Sequence, residues 1–556
     1  MNRICLFIAA AMLCTANGIA QDDNKVTVSG SIQSDVLIPQ DDSKIGTEET
    51  SHWGLTNSYA DIQIGSKYVD AGARVEFMRF PLPGFEKDFK GWGLANAYVK
   101  FHTDPVDLTI GTFYDQFGSG FIFRTYEERA LGIDNSIMGA RLAVRPVKGM
   151  QIKALSGWQR RYWSHNDGVV SGADIEMNID EWIKGLSNSG TYITLGGSFV
   201  NKQETPGDFR ADGTYKLRLP NDVNAWDARI RLQKGGLNVL AEYAQKTQDP
   251  SFDNGYIYRK GNVAMLSASY SQRGLSMLLQ AKRSDNMSFR SRRHMTGTSS
   301  FINHLPAFTL DHTYALAALY PYATNPNGEW AYQAEFGYLF KKGTALGGKY
   351  GTSVKVNFSH VEGIDRNPKP VTMTTADGRT VELIKGSEGY GSSFWKWGDD
   401  GMYYQDINIQ ITKRLTKTFT LNLMYMNQFY NKEVVEGHGD KIRSNIFIID
   451  AKNKFNRKLT LRGEAQYLQT KQDEGDWIYG LLELSIVPHW MFTISDMYNI
   501  GETNLHYYQG LVTFNTGSHR LAVGYGRTRA GFNCSGGVCR YVPAQKGFTL
   551  SYNYNF

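Results

Sequence analysis

Residues 548–556 read FTLSYNYNF and alternate without a slip. Phe548, Leu550, Tyr552, Tyr554 and Phe556 fall on one side, Thr549, Ser551, Asn553 and Asn555 on the other. Successive side chains of a β-strand point to opposite faces, so the stretch is a strand with an apolar and a polar side. In water, such an aromatic strand with an open edge is an aggregation hazard. Its meaning depends on whether the rest of the chain repeats the pattern.

The pattern recurs throughout. In LTLRGEAQY, Leu459, Leu461, Gly463, Ala465 and Tyr467 oppose Thr460, Arg462, Glu464 and Gln466. In WDARIRL, Trp226, Ala228, Ile230 and Leu232 oppose Asp227, Arg229 and Arg231; in DINIQI, Ile407, Ile409 and Ile411 oppose Asp406, Asn408 and Gln410. LNVLAEYA (237–244) and RLAVGYG (520–526) behave alike. The connections carry a second pattern. TDPVD, RPVKG, QKGG, SQRG, RLTKT, FNRK and TGSHR are short, whereas PLPGFEKDFKG and the stretches 116–136, 290–327 and 363–400 are long. A meander with short turns at one end and long loops at the other is the signature of a transmembrane β-barrel. Lipid offers no hydrogen bonds to free backbone, so the sheet must close on itself. The aromatic side of the final strand then faces lipid, its polar side faces the lumen, and its edge pairs with the first strand near KVTVSGSIQSDV.

The reading is therefore an all-β chain: a transmembrane antiparallel barrel of about 24 strands, one hairpin more or fewer, with long extracellular loops and short periplasmic turns. The even count returns both ends to the periplasmic side. A propeller needs a blade-length repeat, and none recurs. Composition agrees: 32 Tyr and 57 Gly against 15 Pro fit strands and turns rather than packed helices. Residues 1–20, with Arg3, an apolar run from Ile4 to Cys14, and Gly18 and Ala20 at a small-x-small site, read as a secretory signal peptide; residues 21–556 are the barrel. No apolar run reaches the length of a membrane helix. The expected location is the bacterial outer membrane, with its lipid and the barrel-assembly machinery as partners.

Of the 4 cysteines, Cys5 and Cys14 leave with the signal. Cys534 and Cys539, in FNCSGGVCRY, are expected to form a local disulfide that staples a loop. Zinc is disfavoured, because no second cysteine pair exists.

A barrel this wide has an aqueous lumen unless something fills it. Strand pattern begins soon after the signal, leaving no room for an N-terminal plug domain, so any filling must come from loops. The leading candidate is DQFGSGFIFRTYEERALGIDNS (115–136), where Arg124, Tyr126, Glu127, Glu128, Arg129 and Asp134 follow the flexible Gly118-Ser119-Gly120. Folded inward, its opposed charges would form a constriction that selects ions. Left outside, it is a solvated loop with internal ion pairs; its length and its apolar Phe-Ile-Phe favour the inward fold. The second candidate is 288–330. It holds the basic group Arg290, Arg292, Arg293 and His294, and His304, Asp311 and His312, but its apolar side chains argue for packing against the barrel interior or a partner rather than for a metal site.

No metal or other cofactor is called for, and no Ser-elbow, H-E-x-x-H or P-loop motif points to an enzyme. The formal charge of +6 is too small to imply nucleic acid, and the lumenal charges Arg74, Glu76, Arg231, Glu242, Arg462 and Glu464 are mixed.

QFGSGFIFRTYEERALGIDNSIMGARLAVRP, LPAFTLDHTYALAALYPYATNPNGE and CSGGVCRYVPAQKGFTLSYNYNF together resemble an uncharacterised family of Bacteroidota outer-membrane proteins. The first stretch also resembles porins in which a lumenal loop follows a strand ending in F-G-x-G. A terminal strand ending in Phe556 resembles the signal read by the outer-membrane assembly machinery. The resemblance implies location and fold, and no activity. Two functions follow: a porin-like channel for small polar solutes or ions, selected at the 124–134 loop, or a loop-occluded barrel that serves as a scaffold for surface or periplasmic proteins.

Deleting Phe556 removes one ring from a large lipid-facing surface but the whole of a terminal signal. The expected outcome is a severalfold drop in assembled protein with little change in the thermal midpoint of the fraction that folds. Normal surface levels of the truncated chain, quantified by surface labelling, would contradict this.

Overall fold

A computed structural model describes residues 26–47, 52–210, 215–374 and 378–556. The signal peptide expected at residues 1–20 lies outside the described residues. Twenty-four strands form one antiparallel sheet. It closes where the first strand, Thr27–Pro39, pairs with the last, Gln545–Asn555, from Ser31 opposite Asn555 to Pro39 opposite Gly547. The last strand also pairs with its predecessor His519–Thr528, so neither of its edges is free. The only α-helices among the described residues are the short segments Lys184–Asn188 and Lys432–Glu436, and no helix is long and apolar enough to cross a membrane.

Connections sort by end. On the end where the strand Thr27–Pro39 begins and Gln545–Asn555 finishes, Gly65 is joined to Val69, His102 to Val106, Lys234 to Leu237, Gln272 to Leu275 and Thr516 to His519. On the opposite end lie the excursions 114–136, 204–221, 286–327, 365–396 and 529–544. Three connections break the pattern: 179–190 and 341–351 are long on the turn end, and 162–163 is tight on the loop end, with Tyr162 at φ 51°.

The outer face is apolar and exposed along the strands: Ile62 and Ile64, Leu279, Ile407 and Ile409, Ile494, Phe548 and Leu550. Aromatic contacts ring both ends of this band. Trp490 lies 4.6 Å from Phe514 and His519 4.2 Å from Tyr554 near the turns, while Trp226–Tyr243 and Tyr525–Phe548 sit toward the loops. Two aromatic girdles around an apolar band are what a bilayer-spanning barrel presents to lipid.

The inner face departs from simple alternation. A lumen wetted by solute should be polar, yet Met424, Met426, Ile442, Ile446, Ile448, Leu468 and Trp477 are buried on the lumenal side. They form one apolar cluster with Leu316, Ala317, Leu319 and Tyr320 of the 286–327 excursion. The strand Lys441–Lys454 is thus apolar on both faces over Ile446–Ile449, with Phe447 and Ile449 exposed outward. This corrects the expectation of a polar lumenal face on that arc: the wall there meets protein, not water, and a strand covered on both sides needs apolar residues on both.

Leu316 is fully buried in that cluster, and its backbone N–H donates to Gln466 Oε1 at 2.8 Å. Leu316→Ala should cost about 2–5 kcal/mol of the loop's seating. Limited proteolysis should then cut 286–327 while the barrel stays folded; a loop as resistant as wild type would mean that other contacts hold it.

Candidate functional site

Two excursions fill the barrel and bind each other. The first leaves the strand Val106–Phe113 and turns at Gly118 and Gly120, whose φ angles of 51° and 93° favour residues without a Cβ. A Cβ at Gly118 would also lie 2.6 Å from Glu242 Oε1 on the wall. At the bend, Ser119 donates to Glu242 through its backbone N–H at 3.1 Å and its hydroxyl at 2.6 Å. Phe117, Phe121, Ile122 and Phe123 are fully buried beyond it.

The second excursion runs alongside. Arg124 N–H donates to Ile302 O at 2.8 Å, His304 N–H to Gly120 O at 2.9 Å, and Asn303 Nδ2 to both Phe121 O and Met287 O. Gln159 on the wall donates to Phe301 O at 2.6 Å. From there the chain crosses to the far arc. Asn422 Nδ2 donates to Tyr314 Oη at 2.7 Å, Gln428 Nε2 to Tyr320 O at 3.1 Å, and Arg529 Nη2 to Leu319 O at 3.1 Å.

The charged residues of the first excursion divide into two groups. Asp134 pairs with Arg74 and Arg160 of the wall and accepts from Tyr114 Oη at 3.0 Å. Glu127 holds Arg74 at 2.7 Å and Arg129 at 2.6 Å, and Arg129 reaches on to Asp61 at 2.9 Å and Gln33 at 3.1 Å. Glu76 completes the network, 2.9 Å from Arg74 and 2.7 Å from Arg160. These residues lash the loop to the wall. Arg124 instead stacks over the Tyr126 ring, 4.6 Å from its centroid, and Glu128 only caps Ala130 N–H at 3.3 Å. Among the described residues, Glu76, Glu127 and Asp134 are the group whose carboxylates lie close enough to share an ion, but their oxygens are taken by arginine and tyrosine. The arrangement is an ion-pair lattice rather than a metal cage.

His304, Asp311 and His312 take separate roles. Asp311 accepts from Gly536 N–H at 3.2 Å, and His312 lies 3.5 Å from Asp406. His304 is edge-on to Tyr126; burial, with Arg124 and Lys282 nearby, pushes its imidazole down to about 3, so it is neutral at physiological pH. Of the basic group of the same excursion, Arg290 pairs with Asp253 at 2.6 Å and Arg293 with Glu204 at 2.9 Å, while His294 Nδ1 meets Tyr256 Oη at 2.7 Å.

Cys534 and Cys539 are disulfide-bonded and face each other across the hairpin Gly531–Ser535 and Val538–Val542. Its tip points inward. Gly537 O accepts from Thr324 N–H at 2.9 Å, and Arg540 donates to Ala130 O at 2.9 Å while stacking 4.0 Å over Phe85. The staple therefore holds a hairpin that touches three other excursions. Phe556 exchanges two backbone hydrogen bonds with Gly30, each 3.0 Å, at the closure.

Below this filling, on the turn side, a crevice of about 380 Å³ remains, lined by Asp61, Asn96, Lys100, Thr109 and Arg141 beside Arg74. The alternation of 69–78 marked Arg74 and Glu76 as lumenal, but Arg160, Asp61 and Gln33 carried no signal: their roles come from the loop that reaches them.

Replacing Arg74 with Ala removes the cation that touches all three of Glu76, Glu127 and Asp134, leaving Arg160 to Glu76 and Asp134 and Arg129 to Glu127, in a site where Arg74 is 3% exposed. Such a removal costs about 3–5 kcal/mol. The thermal midpoint should fall, and Arg74→Lys should restore only part of it, since Lys cannot bridge three carboxylates. An unchanged midpoint in both would mean that the network is solvated.

Comparison with solved structures finds low similarity over nearly the whole chain. The siderophore receptor PirA from Pseudomonas aeruginosa is 10% identical with a TM-score of 0.41, covering 97% of this chain and 81% of that one. The P pilus usher PapC translocation pore is 11% identical at 0.41, covering 96% and 99%, and OccAB4 of Acinetobacter baumannii is 9% identical at 0.34, covering 96% and 98%. At these values they bear on neither ligand nor activity. No curated protein matches the chain. The sequence model of a family of unknown function, DUF6029, matches residues 1–556.

Proposed function

The chain belongs to that family, DUF6029, and for it we propose an outer-membrane barrel whose lumen is kept occupied by its own loops and which works as a scaffold for protein partners at its ends. The loop end faces outward and the turn end faces the periplasm. The observation that carries this reading is the apolar seam between Leu316, Leu319 and the lumenal Met426, Ile446, Leu468 and Trp477. A constriction loop in an open pore is wetted on its free side; a loop buried against an apolar wall is part of a core. The first excursion, the second and the disulfide hairpin hold one another, so displacing one breaks contacts to the others. No catalytic role is proposed for any residue.

A second reading keeps the barrel as a channel. The crevice beside Arg74, with Asp61, Lys100 and Arg141 on its walls, is polar and supports slow passage of small solutes or ions past Glu127.

Planar-bilayer recording separates the two. The scaffold reading expects no steady conductance from wild type, and large openings once residues 302–324 are replaced by a short Gly-Ser linker. Steady conductance from wild type, with ion preference shifted toward anions by Glu127→Gln and most strongly at low salt, would favour the channel instead.

A further inference from the structure

Part of the excursion 365–396 turns outward over the rim. The strand Leu275–Asp285 shows the direction. Lys282 is lumenal: it pairs with Glu329 at 2.8 Å and lies 5.5 Å from the Phe308 ring. Arg283 therefore lies on the opposite face, the face of Met277 and Leu279, which are 42% and 57% exposed. Yet Arg283 is buried, because residues 392–394 cover it. Its Nη2 donates to Ser392 Oγ at 2.7 Å and its guanidinium stacks 4.9 Å from Phe394.

The neighbouring strand Gly328–Phe340 continues the cover. Trp330 shares the outer face with Phe336 and Tyr338, and Phe394 and Trp395 lie over it at 5.6 and 6.3 Å. Trp395 itself is 86% exposed, with Trp397 beside it at 52%.

Height identifies what meets this ledge. A barrel's apolar band is about 25 Å tall, and a strand tilted by about 40° climbs roughly 2.5 Å per residue, so the two girdles lie about 10 residues apart. Counting back 10 residues from Phe340, whose ring lies 4.9 Å from Tyr338 on the turn side, reaches Trp330. The ledge thus sits at the upper boundary of the band and extends it without a break. Its charges are paired, Lys396 with Asp365 at 2.9 Å and Arg259 with Asp285, so it carries no strong preference for an anion.

The geometry points to residues 392–397 as a lipid-seated ledge, with Trp395 lodged at the headgroup–acyl boundary of the outer leaflet. Its partner is the lipid surface, of any headgroup charge, rather than a soluble protein. This rests on the reading of the barrel as membrane-spanning.

The test uses the whole mature chain folded into phosphatidylcholine vesicles with acyl chains brominated near the headgroup or near the chain end. Flotation and the mobility of the unboiled protein on a gel report insertion and folding, and wild type failing both would sink the membrane reading and the ledge together. Trp395→Phe keeps an aromatic ring and removes one Trp of 11. The difference in emission between wild type and variant should be quenched by bromine near the headgroup, less by bromine near the chain end, and equally when phosphatidylglycerol is added. A folded, inserted barrel whose difference emission is quenched by aqueous acrylamide and not by bromine would overturn the ledge, and leave it a surface for a soluble partner.

Discussion

Everything in this molecule depends on the seam between Thr27–Pro39 and Gln545–Asn555. An open sheet would present two rows of unpaired N–H and C=O groups, each costing several kcal/mol in lipid. Closure removes both rows at once and fixes the circumference at 24 strands. That circumference creates the second problem, an interior too wide for the inward side chains to fill. The chain meets it with its own connections, and every feature of the lumen follows from how those connections are held.

They are held in two ways. On the arc from Met424 to Trp477 the attachment is an apolar contact, in which each buried aliphatic side chain contributes about 1.5–3 kcal/mol without fixing direction. On the arc from Asp61 to Arg160 it is a lattice of ion pairs. Buried pairs add little net stability, since desolvation offsets most of their attraction, but they penalise any register in which a partner is lost. The apolar arc keeps the filling in; the ionic arc decides where it sits. Ser119 on Glu242 and Gly537 on Thr324 add hydrogen bonds at the two remaining sides.

The architecture was legible because alternation is a local property. Leu459 through Tyr467 reveal their faces without knowledge of any neighbour, and turn length shows which end most connections occupy, 162–163, 179–190 and 341–351 excepted. The interior was less legible. The run Ile446-Phe447-Ile448-Ile449 is apolar on both faces, a local sign of a strand covered on both sides. Read only for its outward face, it passes as one more lipid-facing strand. Arg160 and Asp61 gave no sign at all, because a lone charge on a polar face reads the same whether it meets water or a carboxylate contributed by a loop from elsewhere in the chain. The disulfide pairing was legible from spacing; that its hairpin points into the lumen was not, since nothing in CSGGVC distinguishes an inward tip from an outward one.

The place of that hairpin in the chain ties the filling to the seam. Residues 531–542 immediately precede the strand that closes the sheet. The hairpin tip holds Thr324, more than two hundred residues earlier in the chain, and the excursion that carries Thr324 rests in part on strands from Trp397 onward. The contents of the lumen and the strand that seals it are therefore joined by one short length of chain.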